Sequence, residues 1–574
     1  MNSVERLSRI PARTSGAGVI SLISILLLAA AGCGGGSADS SHSPAIAISS
    51  APSAVALQQS AQGSATITVT SNRAFSGTVS LAASGLPSGV TATFSPSSTD
   101  SQSTVTFTVS GSAPTGTGTI TITGTSGNLT ATTAINFAVL AAPTPGGVAT
   151  SFFALNNVSN TDNPATDGMF YGAVGHPIRL AWPYIETSRG NYDFSFYDQY
   201  AAMAPKQNGG AVAVMDLTLG MTPSWAVADQ STCRQLNGGV SGCQAPPDNV
   251  QDWQNFITAL VQHYNGTTAP HILYYEIWNE WNTVDPQNGF WSGSTSQLVS
   301  LQTTACSIIH QNDHYSLVVT PSTVGDAATP ADAAPAALAS YFSATGSNGL
   351  NGTSCPGSSN GLIDAVSFHG NLGIDSITPY PLPGDGCSQS GCNGTIVQIS
   401  NSYRQLMNGS GLQSTPLLDT EGGFESANIT DSDQRAAWLA QFYALEAGLY
   451  NSDQLQWVSW FTWGTNVSGQ IENANGTPNE GGIAYNQLFD WLVGRVPSAC
   501  TQSGTIWTCQ MTGSSGYQAE IIWDDSQTCN NGQCTTSNQT APSWATQYRD
   551  IAGNVTQITA GTVPVGLKPI IVEN

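Results

Sequence analysis

From residue 148 to 496 the chain repeats one pattern, and that pattern leaves few folds open. Short apolar runs recur, separated by stretches of helical character. Eight runs read as strands: 150–155, 178–182, 211–219, 272–280, 317–321, 363–369, 416–421 and 455–463. Helix-like segments such as 250–264 and 431–450 lie between them. Runs that are apolar throughout belong to strands covered on both faces, as in parallel sheets. Strands alternating with helices in this way predict a (β/α)8 TIM barrel.

Two of these runs close on a carboxylate. Tyr274-Tyr275-Glu276-Ile277-Trp278-Asn279-Glu280 passes from aromatic and β-branched residues into a polar end, and Pro416-Leu417-Leu418-Asp419-Thr420-Glu421-Gly422-Gly423 repeats the form. Barrel chemistry happens at the C-terminal ends of the strands. Glu280 ending strand four and Glu421 ending strand seven therefore face each other across the mouth. Paired carboxylates are what glycoside hydrolysis needs, one to protonate the leaving oxygen and one to meet the oxocarbenium ion. Asp419 is the alternative to Glu421, and the barrel register favours Glu421. Glu276 and Glu186 read as hydrogen-bonded structural acids. Arg179 either holds the nucleophile ionised or is structural, and His369 is either a sugar contact or a core histidine. Trp182, Trp225, Trp278, Trp281, Trp291, Trp460 and Trp463 fall near strand ends, where indoles stack on sugars. Core packing claims some of them. Trp463, ending strand eight, is expected to floor the subsite of the cleaved sugar.

Asn279-Glu280 with the late Glu421 resembles the clan A glycoside hydrolases. Further stretches resemble glycoside hydrolase family 39 and its near relatives. They are Arg179-Leu180-Ala181-Trp182 with Ile185-Glu186 and Gly190-Asn191-Tyr192-Asp193-Phe194, then Leu219-Gly220-Met221-Thr222-Pro223-Ser224-Trp225-Ala226, then Asp364-Ala365-Val366-Ser367-Phe368-His369. The resemblance implies Glu280 as acid/base, Glu421 as nucleophile and Asn279 as a hydrogen-bond partner of the sugar 2-hydroxyl. It also implies retention of configuration, with no metal and no organic cofactor. The chain departs from the family at Trp281, where Pro is common, and after His369, where Gly370-Asn371 displace a frequent Tyr. Tyr380 is the nearest substitute for that Tyr.

The flanks read differently. Arg6, Arg9 and Arg13 precede an apolar run that ends in Ala30-Ala31-Gly32-Cys33. Residues 1–33 thus resemble a bacterial lipoprotein signal, with lipid expected on Cys33 and 34–43 as a flexible tether. Residues 44–140 alternate strictly, as in Thr66-Ile67-Thr68-Val69-Thr70, and predict an immunoglobulin-like β-sandwich. Gly85-Leu86-Pro87-Ser88-Gly89-Val90 within it resembles bacterial surface modules of that kind. Residues 141–147 read as a linker and 497–574 as a small C-terminal β-sandwich.

Of 11 cysteines, setting Cys33 aside leaves an even number. Their clustering suggests the disulfides Cys233–Cys243, Cys387–Cys392, Cys500–Cys509, Cys529–Cys534 and Cys306–Cys355, and an oxidising compartment. The net charge of −23 argues against nucleic acid and fits a neutral or basic ligand. The expected protein is an exported, lipid-anchored monomer that cleaves poly- or oligosaccharides. A catalytically silent glycan-binding or adhesion protein, or a transglycosylase using the same pair, are the alternatives.

Overall fold

The computed structural model describes residues 43–156, 163–177, 179–235, 241–283, 289–324, 334–345, 362–370, 382–384, 395–424, 429–464, 469–473, 475–530 and 532–574. Cys33 with its signal segment, the tether up to residue 42, Ile178, Asn371, Tyr380, Cys355, Cys387 and Cys392 lie outside these residues.

The centre is a ring of parallel strands: β1 Phe153–Leu155, β2 Ala173–Val174, β3 Val212–Thr218, β4 His271–Glu276, β5 Leu317–Val319, β6 Val366–His369, β7 Leu417–Gly422 and β8 Leu455–Trp460. β1 to β5 pair in sequence, β6 to β8 do the same, and β8 pairs with β1. β5 and β6 meet through a bridge from Val319 to Ala365, which closes the ring. Every residue of β3 and of β6 is buried, as a parallel sheet under a helical shell requires. The shell is α1 Ser195–Met203, α2 Val250–His263, α3 Thr295–Asn312, α4 Ala334–Thr345, α5 Ile396–Gly409, α6 Ser432–Gly448 and α7 Glu480–Leu492. Capping boxes start α3 (Ser294 with Gln297) and α5 (Thr395 with Gln398), satisfying amide groups that would otherwise lack acceptors at the rim.

The apolar run 178–182 is not the second strand. β2 is two residues long, and Ala181–Ile185 is a short helix. The reason lies in packing. Trp182 and Ile185 turn inward, Trp182 onto Trp253 and Phe256. β2 runs tight against β1 on glycines. A Cβ at Gly172 would sit 1.9 Å from the Thr150 carbonyl oxygen, and one at Gly175 1.5 Å from Asn156 Oδ1. The fourth strand also stops early, at Glu276, so Glu280 stands in the loop above it.

α6 and α7 are buried almost all round, because both flanking β-regions press on them. Antiparallel strands from Val496–Pro497 to Ile570–Glu573 form the C-terminal sheet, whose Arg549 pairs with Asp490 of α7 and with Glu573. Gln441 of α6 donates to the Leu567 carbonyl. Upstream, strands from Ile46–Ala51 to Leu129–Leu140 form two facing sheets around Ile67, Phe107, Ile120 and Phe137. Residues 141–147 do not separate this sandwich from the barrel. Leu140 and Val148 share the barrel core, and Asn136, Thr115 and Thr117 hydrogen-bond to Gly168, Arg495 and Gln487. The pairs Cys233–Cys243, Cys500–Cys509 and Cys529–Cys534 are disulfides, which fits an oxidising compartment.

Candidate active site

The strand ends converge on one imidazole. His369, the last residue of β6, is fully buried, and its Nδ1 lies 2.8 Å from Glu280 Oε1 and 3.4 Å from Glu421 Oε2. Those two distances from one atom leave Glu280 Oε1 and Glu421 Oε2 at most about 6.2 Å apart. Both glutamates keep a little solvent access, 17% and 15% of their side chains, so a ligand can reach them.

A second histidine, which the sequence pattern did not single out, completes the cluster. His176 follows β2 directly. Its Nε2 is 3.4 Å from Glu421 Oε2, and its ring lies parallel to that of His369. The ligating atoms of His176, His369 and Glu421 fall within 4.8 Å of one another. Here His369 is also bonded to Glu280, so the group reads as an acid–imidazole network. Asp433 with Cys529 and Cys534 makes a similar cluster, but those sulfurs are tied in a disulfide.

The network shifts the two glutamates in opposite directions. Burial pushes the Glu280 carboxyl up, and the negative charge of Glu421 adds to that; the bond and charge of His369 do not fully offset it. Glu421 is buried too, but the charges of His369 and His176 outweigh the burial and hold its carboxyl below the ordinary value. The histidines respond in kind. Burial works against their charged form, yet the acids around them win, so His176 is raised and His369 is pushed up to about 10. At neutral pH the centre holds an ionised Glu421 and a cationic bridge, with Glu280 the acid that keeps its proton longer.

Beneath the pair lies a polar floor. Glu276 is fully buried and accepts hydrogen bonds from Ser367 (2.6 Å), Thr420 (2.9 Å) and Thr218 (3.4 Å). It contributes to the raised pKa of both histidines. Asn156, at the end of β1, donates to the Thr420 carbonyl at 2.7 Å and fixes the backbone next to Glu421. Glu186 is buried as well, and accepts from the Trp182 indole and the Gly190 amide.

The other expected site residues divide. Asn279 is 5% exposed and its Oδ1 has no partner, an acceptor beside Glu280 that a hydroxyl could fill. Trp463 is fully buried, with its amide on the Asn156 carbonyl and its indole N–H unpaired. Trp281 packs on Tyr341, also with a free indole N–H. Three expectations fail or weaken. Trp182 is core, with no exposed surface and its indole N–H spent on Glu186. Arg179 points outward between the rings of Tyr184 and Phe196 and does not touch Glu421; His176 takes the place expected for it. Trp225 donates to the Glu186 carbonyl and carries the Arg189 guanidinium over its ring, so its contacts run to the outer rim. His369 joins the two glutamates through Nδ1, and its Nε2 has no partner among the described residues.

No protein-family model matches the sequence, and no curated protein matches it. Solved structures do resemble it. A family 39 glycoside hydrolase from the gut symbiont Bacteroides cellulosilyticus WH2 is similar over 91% of this chain and 98% of that one, with a TM-score of 0.53 at 15% identity. The catalytic domain of a GH30 xylanase C from Talaromyces cellulolyticus covers 74% of this chain and 90% of its own, with a TM-score of 0.43 at 13% identity. A family 44 xyloglucanase from Paenibacillus polymyxa covers 74% and 96%, with a TM-score of 0.42 at 12% identity. At such identity the first likeness is one of fold: the chain shares the fold of that family 39 glycoside hydrolase.

Proposed function

We propose that this chain is an exported, retaining glycoside hydrolase acting on poly- or oligosaccharides, with Glu280 as acid/base and Glu421 as nucleophile. The observation that carries the reading is the His369 bridge. It keeps Glu280 Oε1 and Glu421 Oε2 within about 6.2 Å of each other, an approach compatible with the ~5–5.5 Å separation of a retaining pair.

The mechanism uses the opposite shifts of the two acids. In the first step the Glu421 carboxylate forms a bond to the anomeric carbon. The glycosidic C–O bond breaks, and Glu280 gives its proton to the departing oxygen. Glu421 becomes an uncharged ester. One cause of the raised Glu280 pKa is the Glu421 charge, so that esterification makes Glu280 the weaker proton holder it must be next. In the second step Glu280 takes a proton from water. The water oxygen bonds to the anomeric carbon, and Glu421 leaves as carboxylate. Asn279 Oδ1 accepts a hydroxyl of the sugar.

Export by lipid attachment at Cys33 and a spacer role for an immunoglobulin-like N-terminal sandwich belong to the same proposal; Cys33→Ala would release the protein from the envelope. The enzymatic reading is tested with Glu280→Gln and Glu421→Gln on a panel of aryl glycosides and polysaccharides. Each should lose roughly 10⁴-fold or more in turnover, and the first-formed sugar should keep the substrate's anomeric configuration. Near wild-type turnover in either variant overturns it.

A further inference from the structure

Two further acids sit behind the nucleophile, and the mechanism above uses neither. Asp419 lies two residues before Glu421 on β7, and Glu446 lies on α6; both are fully buried. Asp419 Oδ1 accepts the Gly370 amide at 2.9 Å and the Glu421 amide at 3.3 Å. It thereby ties the backbone just after His369 to the backbone of Glu421. The slot it fills is cut for it. A Cβ at Gly370 would lie 2.0 Å from Asp419 Oδ2, and one at Gly422 2.6 Å from the same oxygen. Only glycine at both strand ends leaves room for this carboxyl.

The other face of Asp419 meets Glu446. Among the described residues Asp419 Oδ2 and both Glu446 oxygens find no N–H or O–H donor, yet the two carboxyls contact each other. Two carboxylates set acceptor to acceptor in a dry core are strongly unfavourable. A proton between them supplies the missing donor. From the strand and helices around the pair it is faced by His369, Glu421, Tyr403 and Tyr443.

We propose that Asp419 and Glu446 share one proton and act as a positioning pair that sets the spacing between His369 and Glu421. The pair is not catalytic, since neither acid reaches the sugar; it fixes the 3.4 Å between the cation and the nucleophile. Packing alone would be served as well by apolar side chains of the same size. The tendency of both groups to stay protonated agrees: burial first raises Asp419, to about 7, and burial and then the Asp419 charge raise Glu446 well above the ordinary range.

The proposal rests on Glu421 and His369 being the working centre, so one readout is independent of activity. Glu280→Gln protein, in which the acid/base no longer contributes a carboxylic acid band, should show in difference infrared titration the carbonyl band of a buried carboxylic acid that vanishes at alkaline pH. Adding Glu446→Gln, whose amide N–H replaces the shared proton, should remove that band. In kinetics, Glu446→Leu should lower kcat about 100-fold with KM little changed, the size expected for a small displacement of reacting groups. Glu446→Gln should restore kcat to within about fivefold, and reduce the alkaline limb to a single ionisation. Equal kcat in the Leu and Gln variants, or an infrared band unchanged by Glu446→Gln, overturns the pair. If Glu446→Leu does not fold, the Gln variant's band and pH limb decide. If no glycoside is cleaved even by wild type, the glycosidase reading falls, and the infrared result still decides the pair.

Discussion

The ends of β4 and β7 carry the same side chain and are built in different ways. Above β4 the chain leaves the strand at Glu276, and Glu280 sits in the loop with φ 37°, a left-handed backbone that costs a non-glycine residue roughly 1–2 kcal/mol. Its amide is held by a neutral hydroxyl, Ser322 Oγ at 3.1 Å, and one histidine touches its carboxyl. On β7, Glu421 is part of the strand, its amide faces the Asp419 carboxyl, and two histidines approach its Oε2. The difference teaches how one residue type is given two jobs. Glu280 is mainly desolvated, which raises its carboxyl. Glu421 is equally enclosed but compensated by cations, and stays ionised.

The largest test of that contrast removes each carboxylate in turn. Glu421→Ala should lose roughly 10⁴-fold or more in kcat. Added azide should then restore turnover and give a glycosyl azide of inverted configuration, since it attacks the sugar directly. Glu280→Ala should keep much more activity on substrates with a good leaving group. Azide should there give the retained product, by attacking the glycosyl-enzyme. Identical azide products from both variants would mean that the roles are assigned wrongly.

The histidines allow a finer test. His369 lowers both glutamates; the main effect of His176 falls on Glu421, and its charge is the last-ranked influence on Glu280. Removing His369 takes a charge-assisted bond from the centre, about 1.5–3 kcal/mol, or roughly 10–100-fold in rate. Without it both carboxyls rise, so the acid limb and the alkaline limb of kcat/KM should each move to higher pH. In His176→Ala the acid limb, where Glu421 must lose its proton, should move up while the alkaline limb stays near its place. These limbs report the network as a whole. Equal movement of both limbs in the two variants would show that the histidines do not discriminate between the glutamates.

These same residues show how much could be read before the fold was known. Glu280 and Glu421 were legible because each ends an apolar run long enough to declare itself. His176 was not, because the strand before it is only Ala173–Val174, too short for any periodicity. The apolar run 178–182 a few residues later looked more like a strand, yet its Trp182 is apolar because it packs beneath the rim. Arg179 answers the right need at the wrong address: Glu421 is approached by a cation near the end of β2, and that cation is an imidazole. The one usable signal was the glycine pair around the short run, Gly172 and Gly175, which marks a close crossing of backbones. Glu446 carries no signal of its own. On a helix an acid is ordinarily solvated, and it is the C-terminal sheet packed over the far side of α6 that encloses the helix all round. Such burial depends on contacts between distant segments, and local sequence does not record it.

The smallest effect probes how firmly the β4 end is held. Ser322→Ala removes the hydroxyl that accepts the Glu280 amide and leaves the loop otherwise in place, since the Ser322 amide still donates to the Trp278 carbonyl at 2.8 Å. One neutral hydrogen bond is worth about 0.5–1.5 kcal/mol, so stability should fall by that order in a denaturant titration. If Glu280 is placed mainly by the His369 bond, kcat should drop no more than about tenfold, and the alkaline limb should keep its position. If Ser322 instead selects the left-handed turn, Glu280 would move away from His369. The limb would then shift upward as the carboxyl loses its partner cation, and kcat would fall on the scale of the His369 variant. The first outcome is expected, because a 2.8 Å bond to a charged ring outweighs a 3.1 Å bond to a hydroxyl.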